Sequence, residues 1–326
     1  AIAGRGGAEG APGGMAARYG PVQEHETQRK EQSVTTQEEL DERLEAVEDY
    51  ESVESADATS AEVDDPEMLM RLYGRPSRNA VITGINRSGT SLFCVLLNDL
   101  PNTVALNEVL YDVDNLPLHM ALVRYRVLHD LPVPNKFRDG ELTTNPVEDG
   151  VAVEERTVEE AVDEDVIVAS KVNVPYLVQL DRILEYGFRT IAVLRHPVYT
   201  IASWNRPACT KIPEAHVTDD DMHERWENID FPVEGRLERQ AMIWNYLAGL
   251  IWRRRGHISV CRYEEITGRT AGVLRDVAGF LGVEHVGEPP DLENLNRDSR
   301  YDHVPRIREV VREHCPNAPL FGYSIA

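Results

Sequence analysis

Two glycines five residues apart, Gly84 and Gly89, stand between a short β-branched run (Ala80 to Thr83) and an apolar stretch that continues to Leu100. The segment reads Gly84-Ile85-Asn86-Arg87-Ser88-Gly89-Thr90-Ser91. Glycines let a chain turn sharply out of a strand and bring its backbone N–H groups together, and hydroxyl residues at the start of the following helix add donors beside the positive end of the helix dipole. Strand, glycine turn and helix in this order form a phosphate-binding frame, and they commit the chain to a parallel sheet whose strands are joined by crossover helices.

The rest of the chain agrees. Strand-like runs occur at Ala80 to Thr83, Thr103 to Leu106, Val166 to Ser170, Thr190 to Leu194 and Ile258 to Arg262. Helix-like stretches lie between them, at Gly89 to Leu100, Leu116 to Leu128, Tyr176 to Tyr186, Val198 to Asn205, Leu237 to Arg253 and Thr270 to Leu281. This alternation predicts an α/β fold of the P-loop NTPase-like kind, a parallel sheet with helices on both faces. In such a sheet ligands bind beyond the carboxyl ends of the strands, so chemistry is expected in the residues just after each run.

Two features separate the loop from that of a nucleoside triphosphatase. The lysine that follows the second glycine there is replaced by Thr90, which leaves Arg87 as the cation of the turn. The strand Thr190 to Leu194 ends in Arg195-His196-Pro197 where a magnesium-binding aspartate is expected. An arginine holds no Mg²⁺, but it forms forked, charge-assisted hydrogen bonds to a phosphate. Ser203, eight residues and about two helical turns further on, supplies a hydroxyl to the same neighbourhood. Two anion sites without an evident metal ligand point to a nucleotide with phosphates at both ends.

Composition bounds the partners. The formal net charge of −22 disfavours a nucleic-acid polymer, which requires a basic surface. Residues 21 to 66 hold 16 acidic and 3 basic side chains, and with the Gly/Ala-rich start they suggest that residues 1–64 are an acidic low-complexity tail, disordered or loosely packed, with one candidate helix from Thr36 to Val47. Residues 65–326 form the expected catalytic domain. Cys94, Cys209, Cys261 and Cys315 are far apart and read as reduced packing residues. No apolar run is long enough to span a bilayer and no export signal is evident, so a cytoplasmic protein is expected. Only four lysines occur, Lys30, Lys136, Lys171 and Lys211, against 30 arginines.

The loop Arg87-Ser88-Gly89-Thr90-Ser91 resembles the 5′-phosphosulfate loop of PAPS-dependent sulfotransferases of the bacterial and carbohydrate type, and Arg195 with Ser203 resembles their 3′-phosphate motif. Lys171-Val172-Asn173-Val174-Pro175 is similar to the Lys-Thr-His-x-Pro strand end of the cytosolic enzymes, 24 residues before Arg195 as in that pattern. Arg262-Tyr263-Glu264-Glu265-Ile266 and Leu320-Phe321-Gly322-Tyr323 are similar to further family segments. The resemblance implies a transferase that takes a sulfuryl group from PAPS without a metal and releases PAP. It implies that Arg87, Ser88, Gly89, Thr90 and Ser91 hold the 5′-phosphate, that Arg195 and Ser203 hold the 3′-phosphate, and that Tyr263 lies near the adenine. Lys171 and Arg87 would neutralise charge on the leaving group, and Arg297 and Arg300 are further candidates at the 3′-phosphate.

The chain departs from the cytosolic pattern at Asn173, where the catalytic histidine is expected, because an amide is no general base. The resemblance to carbohydrate and bacterial members, which carry a glutamate in this region, implies Glu108, just past the second strand, as the first candidate for that role; it needs a raised pKa, which partial burial would provide while nearby cations pull it down. A helix N-cap, or a structural salt bridge to Arg87 or Lys171, is its alternative use. His119 is the second candidate base, and His196 reads as structural. The acceptor is expected to be a small molecule or a saccharide, bound by loops within 109 to 165 and 205 to 235, and the acidic composition suggests neutral or cationic acceptors. A P-loop kinase or hydrolase, and a non-catalytic nucleotide-binding protein, are the competing readings. Oligomeric state is not legible.

Overall fold

In the computed structural model, residues 65–144, 150–206, 235–284 and 290–325 are described. The acidic segment 1–64 with its candidate helix, Cys209, Lys30, Lys211 and most of 205 to 235 lie outside them.

Among the described residues eight strands run in chain order: β1 (Asn79–Gly84), β2 (Thr103–Asn107), β3 (Val133–Arg138), β4 (Glu141–Leu142), β5 (Ala152–Arg156), β6 (Ile167–Lys171), β7 (Arg189–Leu194) and β8 (Ser259–Arg262). The helices are α1 (Pro66–Tyr73), α2 (Thr90–Asn98), α3 (Leu116–Leu128), α4 (Val174–Val178), α5 (Leu180–Glu185), α6 (Pro197–Trp204), α7 (Arg236–Arg254), α8 (Tyr263–Gly268), α9 (Thr270–Leu281) and α10 (Val304–His314).

The main sheet has the order β2-β6-β1-β7-β8, and every pairing in it is parallel. All five carboxyl ends therefore open on one edge. Both faces are covered, which is why the strands read as continuous apolar runs rather than alternating ones. Ala80 and Ile82 pack with Phe93 and Leu97 of α2 and with Leu274 and Val277 of α9. Val81, between them, faces the opposite way onto Met120 and Val123 of α3. On the same side, Ala192 and Leu194 meet Trp204 and Trp244 and a cluster built by α6, α7 and α10. The α/β fold with helices on both faces is as the sequence implies.

Three elements depart from the sequence expectation. The stretch Tyr176 to Tyr186 is two short helices that break at Gln179, with the first already begun at Val174. The region expected to be acceptor loops contains an antiparallel sheet, ordered β4-β3-β5. Pro134 and the polar Asn135 disguise β3, because a strand signal is an apolar alternation free of proline. Asn135 is nevertheless buried, and its amide acts as a piece of β-ladder: Oδ1 accepts from the Asn107 N–H (2.9 Å) and Nδ2 donates to the Ala105 carbonyl (2.9 Å). Asn98 serves the same edge, donating to the Ala105 carbonyl and accepting from its N–H. Two side-chain amides thus close the free edge of β2. The third, α10, has an amphipathic sequence rich in arginine, which hides its buried face of Val304, Ile307, Val310 and Val311.

Among the described residues no helix is long and apolar enough to cross a membrane. Cys94, Cys261 and Cys315 are buried and unpaired, with thiols that burial pushes up, to about 12 for Cys94 and Cys261.

Candidate functional site

The site begins where β1 ends. Gly84 leaves no room for a side chain, since a Cβ there would strike the Val193 carbonyl. Gly89 has φ +85°, and a Cβ would come within 2.7 Å of the Tyr263 ring. Between them the turn is pinned by the Ile85 N–H to the Val193 carbonyl (3.3 Å) and by the Trp204 indole N–H to the Asn86 carbonyl (3.0 Å). Ser88 is fully buried, and its Oγ, like Asn86 Oδ1, has no hydrogen-bond partner. Unpaired polar atoms this deep are costly unless something outside the chain pairs with them. Thr90 and Ser91 are buried in the first turn of α2, where helix amides lack intrahelical acceptors.

Among the described residues six non-glycine residues adopt positive φ; four are Asn, Asp or His, the types that tolerate it. The other two are Arg87 (φ 69°) and Glu108 (φ 56°). Such a conformation costs roughly 1–3 kcal/mol at a residue with a long side chain, so the surrounding structure must hold it. For Glu108 the holders are visible. Its N–H donates to the Lys171 carbonyl (2.8 Å), Lys171 Nζ donates to its Oε1, Asn173 Nδ2 donates to Oε1 (3.2 Å), and Lys136 Nζ donates to Oε2 (3.4 Å). Lys171 Nζ also reaches Ser91 Oγ (3.0 Å), which joins this cluster to the glycine turn.

Burial pushes the Glu108 carboxyl up, but Lys171 and Lys136 outweigh it and hold the group below the usual carboxylate range. This corrects the expectation of a raised pKa. The Lys171 ammonium is itself lowered, because complete burial outweighs the support of Glu108. Asn173, at the start of α4, has its carbonyl tied to the Thr83 hydroxyl (2.6 Å), and its Oδ1 is buried without a partner.

A second cluster follows β7. The Arg195 guanidinium points toward the glycine turn. Its Nη1 donates to the Arg87 carbonyl (3.3 Å), Nε to Asn296 Oδ1 (2.6 Å) and Nη2 to the Tyr301 hydroxyl (3.0 Å). It lies 4.6 Å from the centre of the Tyr263 ring, a cation–π contact. Arg87 Nε in turn donates to Ser203 Oγ (3.3 Å). The Arg195 carbonyl is fixed by the Trp244 indole (3.3 Å) and the Thr200 hydroxyl (3.2 Å). Behind it, Glu264 accepts from Asn296 Nδ2 (2.6 Å), the His196 N–H (3.0 Å) and the Tyr323 hydroxyl (3.1 Å).

Arg87, Ser91, Glu108, Lys171, Arg195, Ser203 and Tyr263 thus form one connected edge of the sheet. His119, half-buried at the start of α3 beside Asp112, and the exposed Arg297 and Arg300 enter none of these contacts. Arg297 pairs with Glu293 (2.9 Å). His196 bonds through its ring to the Val198 N–H and the Ser324 carbonyl, as a structural histidine does. Lys136, Asn296, Tyr301 and Glu264 were not singled out as site residues from the sequence. Lys136 carried one overlooked signal, its rarity. Asn296 and Tyr301 sit in an irregular segment, and only the fold reveals their proximity to Arg195.

Among the described residues no group of three or more His, Cys, Asp or Glu side chains is placed to hold a metal ion. No family model matches the chain and no curated protein is similar to it at a significant level. Solved structures with a similar fold include a sulfotransferase from Alicyclobacillus acidocaldarius (18% identity, TM-score 0.39, 75% of this chain and 93% of that one). They also include the sulfotransferase domain from the curacin biosynthetic pathway (14%, TM-score 0.41, 76% and 98%) and a mouse sulfotransferase complexed with PAP (12%, TM-score 0.33, 76% and 69%). At these identities and scores no residue's role passes from them to this chain.

Proposed function

We propose that the chain is a sulfotransferase that moves a sulfuryl group from PAPS to a hydroxyl or amine of a small-molecule or saccharide acceptor and releases PAP. The observation that carries this reading is the linkage of the glycine turn to the cation after β7: Arg195 Nη1 bonds the Arg87 carbonyl, and Arg87 Nε bonds Ser203. The phosphate turn and the cation after β7 are near enough to serve one nucleotide. Arg195, where a triphosphatase would carry a metal-binding aspartate, supports a second phosphate in place of Mg²⁺.

The chemistry then divides between the clusters. The acceptor oxygen forms a bond to sulfur as the bond from sulfur to the 5′-phosphate oxygen breaks, and the electron pair leaves with PAP. Loop amides, Arg87 and Lys171 take up the charge that develops on that leaving oxygen. The acceptor's proton passes to Glu108, whose ionised carboxylate is ready throughout the neutral range. A weakly basic carboxylate suits a loose transition state, in which the acceptor keeps its proton until late. Ser88 Oγ, buried without a partner, carries a hydroxyl that can donate to a phosphate held in the turn.

A thermal-shift titration with PAP, AMP and ATP plus Mg²⁺ tests the donor. PAP at a hundred times its Kd is expected to add about 2.7 kcal/mol of stability, and AMP at equal concentration much less. Stabilisation by ATP plus Mg²⁺ but not by PAP would replace this reading with a P-loop kinase or hydrolase. Radiolabelled sulfate transfer from PAPS to an acceptor panel then separates an enzyme from a binding protein.

A further inference from the structure

We propose that Lys136 is an anion-recognition subsite beside the base, and that the preferred acceptors carry a carboxylate next to the hydroxyl that is sulfated. The proposal rests on the sulfotransferase reading and names its substrate class. In a chain with 30 arginines and four lysines, both lysines of the described residues grip the same carboxylate. Their settings differ. Lys171 is completely buried, and besides Glu108 it holds Ser91 of the phosphate turn. Lys136 enters from β3 onto the other carboxylate oxygen of Glu108, with its side chain 11% exposed, and the one hydrogen bond of its ammonium is the 3.4 Å contact to Oε2.

An ammonium has three donors, and one long bond leaves a nearly buried Lys136 under-satisfied. Its position is fixed in advance, because the preceding Asn135 is laced to β2 through Ala105 and Asn107. The sequence of contacts runs Ser91, Lys171, Glu108, Lys136. Since the donor's phosphate belongs at Ser91, the acceptor belongs at the other end.

The two oxygens of Glu108 are unequal as well. Oε1 is engaged by Lys171 and Asn173, whereas Oε2 has only the long bond to Lys136. An acceptor hydroxyl that gives its proton to Oε2 therefore approaches beside a cation whose remaining donors suit an anion on the same molecule. Two ammonium groups against one carboxylate leave a net positive charge there, within a protein whose overall charge is −22. The local chemistry thus reverses the preference for neutral or cationic acceptors that composition suggests.

The scarcity of lysine makes the test direct. Protein labelled with [ε-¹³C]lysine gives four side-chain signals, and Lys136→Met identifies that of Lys136. PAP is added first; movement of the Lys171 signal reports on the donor site, so a failure there counts against the sulfotransferase reading itself. To the PAP complex are then added 3-hydroxybutyrate, mandelate and glucuronate, each beside its methyl ester. At least one acid is expected to move the Lys136 signal with saturation while its ester does not.

With PAPS, the acid-to-ester ratio in kcat/KM is expected to be about ten- to hundredfold, the discrimination one charge-assisted hydrogen bond supplies. That ratio should fall to about one in Lys136→Met and partly survive in Lys136→Arg. Any loss from a disturbed Glu108 is common to acid and ester and cancels in the ratio. An unchanged ratio in Lys136→Met, or acids and esters that move the signal equally, would overturn the proposal and leave Lys136 as a positioning residue for Glu108.

Discussion

The two cationic ends of the site use their charge in opposite ways. At the Glu108 end, Lys171 and Lys136 are turned on a carboxylate of the chain itself. At the other end, Arg195 is framed by neutral groups only, an amide oxygen, a backbone carbonyl, a phenol and an aromatic face, and no carboxylate of the described residues lies within ion-pair distance. A cation held by neutral partners keeps its charge for a ligand. A cation paired with a carboxylate sets that carboxylate's protonation. The first arrangement suits binding and the second suits proton transfer, so substitutions at the two ends should fail differently.

Glu108→Gln should give the largest effect. It keeps the size of the side chain and its amide can still meet one lysine, but the proton acceptor of the proposed mechanism is gone. A fall in kcat of about 10²–10⁴ is expected in single-turnover transfer, with PAP affinity changed by no more than a few-fold. Loss of PAP binding on the same scale would erase the distinction between the ends. The pH profile sharpens it. Because the carboxyl lies below its ordinary value of about 4.3, kcat/KM should show no acidic limb due to this group until the pH falls below that value. The same shift stabilises the fold. With the folded pKa depressed, the contribution is complete above about pH 4.3 and is lost as pH falls through the folded value, so acid unfolding should be steeper in wild type than in Glu108→Gln. An acidic limb near pH 6 would show that burial wins over the lysines.

Arg195→Ala should reverse the pattern. If Arg195 makes two charge-assisted bonds to a 3′-phosphate, as proposed, their removal predicts about a 10²-fold weaker PAP affinity by calorimetry, with AMP affinity nearly unchanged. Equal losses for both nucleotides would mean that Arg195 supports the turn through the Arg87 carbonyl rather than binding the 3′ end. Gly89→Ala probes the junction of the two ends. A methyl group 2.7 Å from the Tyr263 ring, on a backbone at φ +85°, should cost about 1–3 kcal/mol in urea unfolding. A neutral result would mean that the turn relaxes freely and that its geometry is not fixed by Tyr263.

The carboxyl end of each parallel strand was legible in advance, because residues 84, 108, 171, 195 and 263 all follow β-branched or apolar runs and one sheet edge must gather them. What the sequence could not show was the charge balance at Glu108. Burial and cations push its pKa in opposite directions, and beside Lys171 one of those cations is Lys136, which β3 delivers from a segment disguised by Pro134. The frame around Arg195 was hidden for another reason. Asn296 and Tyr301 flank a 3₁₀ turn, Asp298–Arg300, and irregular segments have no periodicity from which a side chain's direction can be read. Arg297 and Arg300 are the cations of that segment, yet its polar, uncharged neighbours contact Arg195.

Tyr301→Phe offers the smallest and most discriminating test of that frame. The aromatic ring stays, 5.9 Å from the guanidinium, and only the hydroxyl that accepts from Nη2 is lost. If that bond aims the guanidinium at a 3′-phosphate, PAP should bind about two- to tenfold more weakly, in line with one hydrogen bond of 0.5–1.5 kcal/mol. AMP, which lacks the 3′-phosphate, should bind as before, and kcat at saturating PAPS should not change. Tighter PAP binding would carry the opposite lesson. It would mean that the phenol competes with the phosphate for Nη2, so that the end framed by neutral groups keeps its charge in reserve only at the expense of an internal bond that the ligand must first break.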